Sequence, residues 1–190
     1  MAPAGRWDET AGVRRVAVIG SGGAGKSTLA GALGERLGLP VVHLDPLFWK
    51  PGWVGRSQEE WRALQEELVR GDGWIIDGNH QATLDVRLRA ADTVVMLDYG
   101  RARCLWRVLR RWHGYRGRPR SDRADGCDER LDREFLRFVW SYPREGRPVA
   151  LEAVARHAAD AAFVRLGSPA HARRFLDSVG DPVDAGKRGY

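Results

Sequence analysis

The residues that most directly predict chemistry lie between positions 20 and 28. They read Gly20-Ser21-Gly22-Gly23-Ala24-Gly25-Lys26-Ser27, followed by Thr28, and match the phosphate-binding P-loop pattern G-x-x-x-x-G-K-[ST]. Such glycines let backbone N–H groups turn toward a phosphate, and the helix that follows adds its positive end. The Lys26 ammonium would reach the β and γ phosphates, and the Ser27 hydroxyl would ligate Mg²⁺. The pattern therefore predicts a site for ATP or GTP with magnesium.

The same glycines also allow a second interpretation. Gly20, Gly22 and Gly25 match the dinucleotide fingerprint G-x-G-x-x-G, and Asp45 stands 20 residues beyond Gly25. A dinucleotide site does not need the charge and the metal ligand that Lys26 and its neighbours supply, and the chain lacks a separate substrate domain. We therefore favour the P-loop over the dinucleotide site and over a purely structural glycine turn.

A P-loop needs a strand before it and a helix after it, and the sequence predicts both. Val16–Ile19 is typical of a buried strand, and a helix is predicted from Lys26 to Leu37. Further strands are predicted over 41–44, 74–76, 93–97 and 162–166, a loop over 46–55, and a helix to Val69 after a capping box at Ser57. The alternation predicts an α/β fold with a five-stranded parallel sheet, whose binding crevice lies at the carboxyl ends of the strands.

Two aspartates end predicted strands at that edge. Asp77 could hold Mg²⁺ beside Ser27, or it could cap a helix. Asp45 could orient an acceptor hydroxyl and take its proton, or it could be a turn residue before Pro46. A phosphate acceptor would call for arginines there instead, because it is already ionised. We favour the metal and acceptor roles.

Other polar and aromatic residues are predicted around the acceptor. Phe48, Trp49, Trp53 and Trp61 either line an aromatic pocket or fill the core. Arg56, Asn79 and His80 are candidates for contact with the polar groups of the acceptor.

Arginines are concentrated after the fourth predicted strand. Arg103, Arg107 and Arg111 form an i, i+4 stripe with Arg110 beside it, which is either a solvated face or a polyphosphate contact. A glycine- and arginine-rich flap from Trp112 to Gly126 carries Arg116, Arg118 and Arg120, which could close over the phosphates. We expect Lys26, Asp45, Arg107 and Arg111 to act in catalysis.

Composition narrows the class of protein. The 190 residues fit one domain, and the net charge of +6 calls for an anionic partner. Because the arginines are local and no basic tail exists, we expect a nucleotide and a small molecule, and no nucleic acid. Cys104 and Cys127 are too few for a disulfide scaffold, and no apolar run approaches the ~20 residues of a membrane span. We expect a cytoplasmic monomer or homodimer without a membrane partner.

These motifs together resemble the adenylate-kinase-like branch of P-loop kinases, and more closely the bacterial topology modulation proteins. The resemblance runs from Val16 to Leu176 and rests on 20–27, 43–53, 74–79, 105–111 and 166–169. It implies a three-layer sandwich of the nucleoside monophosphate kinase type over 13–179, with tails at 1–12 and 180–190. It also implies an acceptor lobe at about 46–70, an arginine-rich lid at about 112–127, and packing of Ser168-Pro169 on the nucleotide base.

One departure from that family bears on the acceptor. Nucleoside monophosphate kinases continue the aspartate-glycine of the third strand into Phe-Pro-Arg, whereas here Asp77-Gly78 leads into Asn79-His80. Asp45 instead resembles the acceptor aspartate of shikimate, gluconate and chloramphenicol kinases, which phosphorylate hydroxyls. We expect a kinase acting on a hydroxyl of a small molecule, with a natural product or antibiotic as a subsidiary expectation. The alternative is an adenylate-like kinase that holds its acceptor phosphate with Arg56 and Arg87.

Overall fold

The strand before the glycine-rich loop lies at the centre of a parallel sheet. The computed structural model describes residues 12–50, 52–114 and 133–179. Its elements are β1 (Arg15–Gly20), α1 (Lys26–Leu37), β2 (Val41–His43), α2 (Leu44–Phe48), β3 (Trp49–Lys50), β4 (Val54–Gly55), α3 (Gln58–Leu68), β5 (Trp74–Asp77), a 3₁₀ turn (Gln81–Thr83), α4 (Leu84–Ala90), β6 (Thr93–Leu97), α5 (Arg101–Gly114), α6 (Arg133–Ser141), α7 (Gly146–His157), β7 (Ala162–Leu166) and α8 (Pro169–Ser178).

Five parallel strands form the sheet in the order β2-β5-β1-β6-β7. β1 pairs with β5 on one side and with β6 on the other, so its backbone is hydrogen-bonded along both edges. This is the predicted α/β fold of P-loop kinases, with five parallel strands and helices on both faces. The carboxyl ends of β2, β5, β1, β6 and β7 lie along one edge of the sheet.

Alternating side chains of the strands build two separate cores. Val16 and Val18 pack with α1, α5, α6 and α8 on one face of the sheet. Ala17 and Ile19 pack on the other face with α3, α4 and α7. Because both faces are covered, the central strands β5, β1 and β6 are mainly continuous apolar runs, which is why their positions could be predicted from the sequence.

Two local predictions were wrong at the second strand. β2 ends at His43, one residue earlier than expected, and Leu44 begins α2. A proline in the first turn of a helix loses no hydrogen bond, so Pro46 does not prevent this. The segment predicted as a loop over 46–55 instead holds α2 and the short antiparallel pair β3 and β4. Asp45 consequently lies in the first turn of a helix and not at a strand end.

The predicted flap begins inside a helix. α5 continues through Trp112 to Gly114, and the rest of the flap lies outside the described residues. Within the described part of the chain, no helix is both long and apolar enough to cross a membrane.

Candidate functional site

The loop between β1 and α1 has the backbone of an anion cradle. Gly20, Gly23 and Gly25 have φ angles of 139°, 75° and 96°, in the region that favours glycine. A Cβ at Gly23 would also collide with the Cys104 carbonyl and lie 2.8 Å from a Val108 methyl. Helix α5 therefore packs so closely on this loop that only glycine fits at position 23.

The N-terminus of α1 is open to an anion. It has no side-chain cap and no acidic residue in its first turn. Helix α3, by contrast, is capped by Ser57 and Glu60 in the predicted capping box. The first N–H groups of α1 therefore keep their hydrogen-bonding capacity for a phosphate.

Two basic side chains border the loop. The Lys26 ammonium donates to the Ser21 carbonyl at 3.1 Å, which folds the side chain back across the loop. Arg107 on α5 donates from Nη1 to the Ala24 carbonyl at 3.1 Å. Its guanidinium also covers Gly25, where an added Cβ would lie 2.9 Å from Nη2. Lys26 and Arg107 thus both lie at the loop, and their contact with a nucleotide stays a prediction.

The other arginines of the predicted stripe point in different directions. Arg111 is half-buried and lies near enough to Asp45 for its charge to lower the pKa of that carboxyl. Arg103 is exposed, and Arg110 stacks on the Trp106 ring at 5.3 Å. The lid arginines Arg116, Arg118 and Arg120 lie outside the described residues.

Asp77 is a buried carboxylate at the end of β5. It is paired in register with Val18 of β1 and His43 of β2, and it is 4% exposed. His43 Nδ1 lies 2.7 Å from Asp77 Oδ2, so this contact orients the carboxylate. The sequence placed His43 beside Asp45 but gave no sign of its pairing with Asp77, because the pairing depends on strand order.

Ser27 and Asp77 suit Mg²⁺ by their donor chemistry. A hydroxyl and a carboxylate are hard oxygen ligands. In the described part of the chain, no group of three His, Cys, Asp or Glu residues could hold a metal ion unaided. Mg²⁺ is usually bound by one or two protein oxygens together with substrate phosphates, and Ser27 and Asp77 would supply two such oxygens.

Asp45 presents an ionised carboxylate to the cleft. Its side chain is 71% exposed, and Oδ1 lies 3.1 Å from His80 Nε2. The protein surrounding the cleft would by itself raise the pKa, but the hydrogen bond from His80 and the charges of Lys26 and Arg111 lower the pKa to about 2. The Asp45 carboxylate is therefore within electrostatic reach of the P-loop lysine.

The aromatic residues near Asp45 form one connected series of rings. Trp53 contacts Trp49 (centroids 5.3 Å apart), Trp49 contacts Phe48 (4.8 Å) and Phe48 contacts Trp61 (5.2 Å). Trp61 is 1% exposed and fills the core, whereas Phe48, Trp49 and Trp53 are half-buried. Trp53 has a φ of 64°, which is uncommon for a bulky residue. Of the predicted pocket residues, Trp61 is thus core filler.

The two remaining acceptor candidates differ in their contacts. Arg56 Nε donates to the Leu47 carbonyl at 2.6 Å. The backbone carbonyl of Asn79 accepts from Arg87 at 3.2 Å, whereas the side-chain Oδ1 of Asn79 is buried and has no hydrogen-bond partner among the described residues. Ser168 and Pro169 lie beyond β7 at the same edge of the sheet, where Ser168 caps α8 by accepting from the His171 N–H. Contact of these two residues with a base stays a prediction.

Sequence reasoning missed a buried polar network beneath the cleft. Arg87 is 0% exposed and donates to the Gly78 and Asn79 carbonyls and to Gln65, which in turn donates to Thr83. Burial lowers the pKa of Arg87 to about 10. A signal existed, because Arg87 shares a helical face with Leu84 and Leu88. Its burial removes Arg87 as the predicted grip on an acceptor phosphate.

Comparison with known proteins shows the fold. No family model matches the chain, and no curated protein matches it. Several solved structures are similar to this chain. A shikimate kinase from Acinetobacter baumannii in complex with shikimate has a TM-score of 0.54 and 18% sequence identity, and the match covers 95% of this chain and 97% of the kinase. A shikimate kinase from Bacteroides thetaiotaomicron has a TM-score of 0.51 at 18% identity, with coverages of 87% and 95%. A gluconokinase from Sinorhizobium meliloti has a TM-score of 0.50 and 16% sequence identity, and the match covers 87% of this chain and 91% of the gluconokinase.

Proposed function

We propose that the chain is a P-loop phosphotransferase that moves the γ-phosphoryl group of ATP or GTP to a hydroxyl of a small molecule. The observation that carries the proposal is the pairing of two features at one edge of the sheet. An uncapped glycine loop bearing Lys26 stands opposite the ionised, exposed carboxylate of Asp45. Kinases with the same fold support phosphoryl transfer in general.

The donor half of the site binds and neutralises the triphosphate. Backbone N–H groups of the loop and of the first turn of α1 face the phosphates, and Lys26 swings from Ser21 to the β and γ oxygens. Ser27 and Asp77 would hold Mg²⁺, which would neutralise charge on the phosphate oxygens. Thr28, Ser168 and Pro169 complete the nucleotide contacts in this proposal.

Arginines stabilise the charge that develops during transfer. Arg107 already stands over Gly25, and Arg111 lies toward Asp45, so the two could face the transferring group from the same helix. Because such fixed cations act where water is excluded, they stabilise the transition state more than they would in water. Arg116, Arg118 and Arg120 would complete this set from the lid.

Asp45 orients the acceptor hydroxyl. The hydroxyl oxygen attacks the γ phosphorus, the bond from that phosphorus to the β,γ-bridging oxygen breaks, and the hydroxyl proton passes to the Asp45 carboxylate. With a pKa of about 2 the carboxylate is a weak base, so the proton should move late, as a loose transition state allows. Its main contribution is therefore the orientation of the attacking oxygen.

The charges around Asp45 favour a hydroxyl over a phosphate acceptor. Each lysine and arginine in 44–50 and 52–91 already contacts protein: Lys50 with Glu60, Arg56 with Leu47, Arg62 and Arg89 with Asp85, Arg70 with Glu67, and Arg87 in the buried network. A monophosphate brings up to two negative charges close to Asp45, which would repel it. This distinguishes our proposal from a nucleoside monophosphate kinase.

A screen of acceptors tests the proposal. The wild-type chain, with ATP or GTP and Mg²⁺, is incubated with nucleosides, monophosphates, sugars, hydroxy acids and antibiotics, and nucleotide consumption and product mass are measured. We expect a product that carries one added phosphoryl group on a hydroxyl compound, and none with Lys26→Ala. Prompt formation of diphosphates from nucleoside monophosphates, with no product from hydroxyl compounds, would contradict it.

A further inference from the structure

The imidazole of His80 stands behind the Asp45 carboxylate. Its Nε2 lies 3.1 Å from Asp45 Oδ1, and the His80 side chain is only 15% exposed, against 71% for Asp45. A ligand in the cleft therefore reaches the carboxylate much more readily than the imidazole. This geometry differs from the expected contact between His80 and the acceptor.

Aromatic rings fix the plane of the imidazole. The His80 ring centroid lies 4.9 Å from that of Phe48 and 4.8 Å from that of Trp61. Trp61 is buried in the core, and Phe48 packs against it. Because the ring is held between two neighbours, Nε2 keeps one direction, and that direction is toward Asp45.

The backbone of His80 is held as firmly as its ring. His80 has a φ of 22°, a strained value for a residue other than glycine. Its carbonyl accepts from the Thr83 N–H at 3.1 Å and from Thr83 Oγ1 at 3.3 Å. Buried Gln65 joins Thr83 to Arg87, which binds the carbonyls of the two residues before His80. A strained residue that so many contacts maintain indicates a functional constraint.

We infer that His80 is a positioning residue, which holds Asp45 in the orientation that meets the acceptor. The buried network of Gln65, Thr83 and Arg87 sets the place of His80 in turn. The contact itself is independent of the proposed function, whereas its catalytic consequence rests on that function. Loss of the contact should lower kcat by about 100-fold, because a misplacement of about 1 Å costs that much in a reaction between oriented groups.

The ionisation of Asp45 gives a test that needs no acceptor. The groups that face Asp45 are His80 on the loop after β5, Lys26 at the start of α1 and Arg111 on α5. Without His80, the pKa of Asp45 should rise from about 2 toward its ordinary value of 3.8, because one hydrogen bond and one nearby charge are lost. We propose following the Asp45 carboxyl resonance by ¹³C NMR, with Asp45→Asn to identify it.

Two substitutions separate the hydrogen bond from the ring. His80→Phe keeps an aromatic ring between Phe48 and Trp61 but has no donor, whereas His80→Gln keeps an amide donor near the position of Nε2. We expect the Asp45 titration midpoint to rise most in His80→Phe and less in His80→Gln, which keeps the hydrogen bond but not the charge. These kinetics are measured with a hydroxyl compound that the wild-type chain phosphorylates. For this compound, kcat should fall about 100-fold in His80→Phe and be higher in His80→Gln than in His80→Phe, while KM for the nucleotide stays unchanged.

The outcomes distinguish the inference from the proposed function. An Asp45 midpoint that is equal in His80→Phe and wild type would overturn the inference, as would His80→Gln behaving like His80→Phe. If the midpoint shifts but no compound is phosphorylated, the positioning contact stands and the proposed function fails. Should His80→Phe not fold, His80→Asn replaces it, because asparagine tolerates positive φ and is too short to reach Asp45.

Discussion

At the scale of single residues, the proposed function assigns Lys26 to the donor half of the site and Asp45 to the acceptor half. The Lys26 ammonium donates to a backbone carbonyl of its own loop, and the Asp45 side chain is exposed. Neither side chain contributes much to packing, so substitution of either should change chemistry with little change in stability. This separation makes the two residues suitable for direct tests.

Lys26→Ala should abolish transfer and weaken nucleotide binding. Loss of one preorganised donor to a developing charge costs about 100-fold or more in rate. The free energy of unfolding should change by less than about 1 kcal/mol, since few packing contacts are lost. Nucleotide affinity can be measured by calorimetry, with Lys50→Ala as the matched control for loss of an exposed lysine. Equal nucleotide affinity in both variants would contradict the P-loop assignment.

Asp45→Asn should lower kcat by about 100-fold or more, because the neutral amide orients the attacking oxygen less well than the carboxylate does. Because its folded pKa is lowered to about 2, below the ordinary 3.8, any stability that Asp45 contributes is present above pH 3.8 and is lost as the pH falls through 2.

The same pKa predicts how the Asp45→Asn effect depends on pH. Asp45 stays ionised between pH 8 and 5, so the ratio of wild-type to Asp45→Asn rates should be constant over that range. Steady-state rates for both proteins at each pH provide the measurement. A ratio that falls toward one between pH 7 and 5 would show that Asp45 takes up a proton there.

At the scale of elements, helix α5 holds the shape of the phosphate loop. Gly23 has a φ of 75°, and its would-be Cβ meets the backbone of α5 at Cys104. On α1, Gly31 is helical and has open space around it. These two glycines allow the same substitution to be made at a constrained and an unconstrained position.

Gly23→Ala should destabilise the chain by about 1–3 kcal/mol and weaken nucleotide binding. The positive φ of residue 23 is strained for alanine, and the new Cβ would collide with the backbone carbonyl of Cys104. Gly31→Ala should instead stabilise it by about 0.5–1 kcal/mol, through helix propensity. Urea unfolding of both variants measures the difference. Similar effects at the two positions would contradict the close packing of α5 on the loop.

The buried polar network ties α3 to α4 and to the loop after β5. Gln65→Leu removes the partner of both Arg87 and Thr83 while nearly preserving volume, and an unsatisfied buried group costs about 1–3 kcal/mol. The exposed Gln58→Leu on the same helix is the control and should change stability by less than about 0.5 kcal/mol. Urea unfolding that gave equal values for the two variants would rule out a stabilising role for the network.

Sequence predicted the elements better than their contacts. The strands at 93–97 and 162–166 have the predicted bounds, because both are mainly apolar runs that pair in the parallel sheet, although only β6 is buried along its whole length. The segment 46–55 was missed, since a two-residue strand pair leaves no periodicity. The P-loop is local in sequence and could be placed, whereas Gln65 and Arg87, or His43 and Asp77, are 22 and 34 residues apart and meet only through tertiary structure.

At the scale of the whole molecule, charge and topology act together. In the proposed function the net charge of +6 would attract anionic nucleotides over a distance, and Arg107 of α5 lies beside the glycine-rich loop. Parallel strands bring Gly20, Asp77 and Ser168 to one edge of the sheet, although 148 residues separate the first from the last. The fold thus brings together the proposed donor and acceptor groups, which lie far apart in the sequence.

The central claim is transfer of a phosphoryl group to a hydroxyl, and ³¹P NMR of the products tests it most directly. The reaction contains wild-type chain, ATP, Mg²⁺, the best hydroxyl compound from the screen and a nucleoside monophosphate in equal amounts. We predict a new phosphomonoester resonance from the hydroxyl compound, with a second pKa of ~6, that is absent with Lys26→Ala and strongly reduced with Asp45→Asn. Diphosphate formed from the added nucleoside monophosphate, in addition to the ADP that the donor leaves, would contradict the account if Asp45→Asn produced it equally and no hydroxyl compound gained a phosphoryl group.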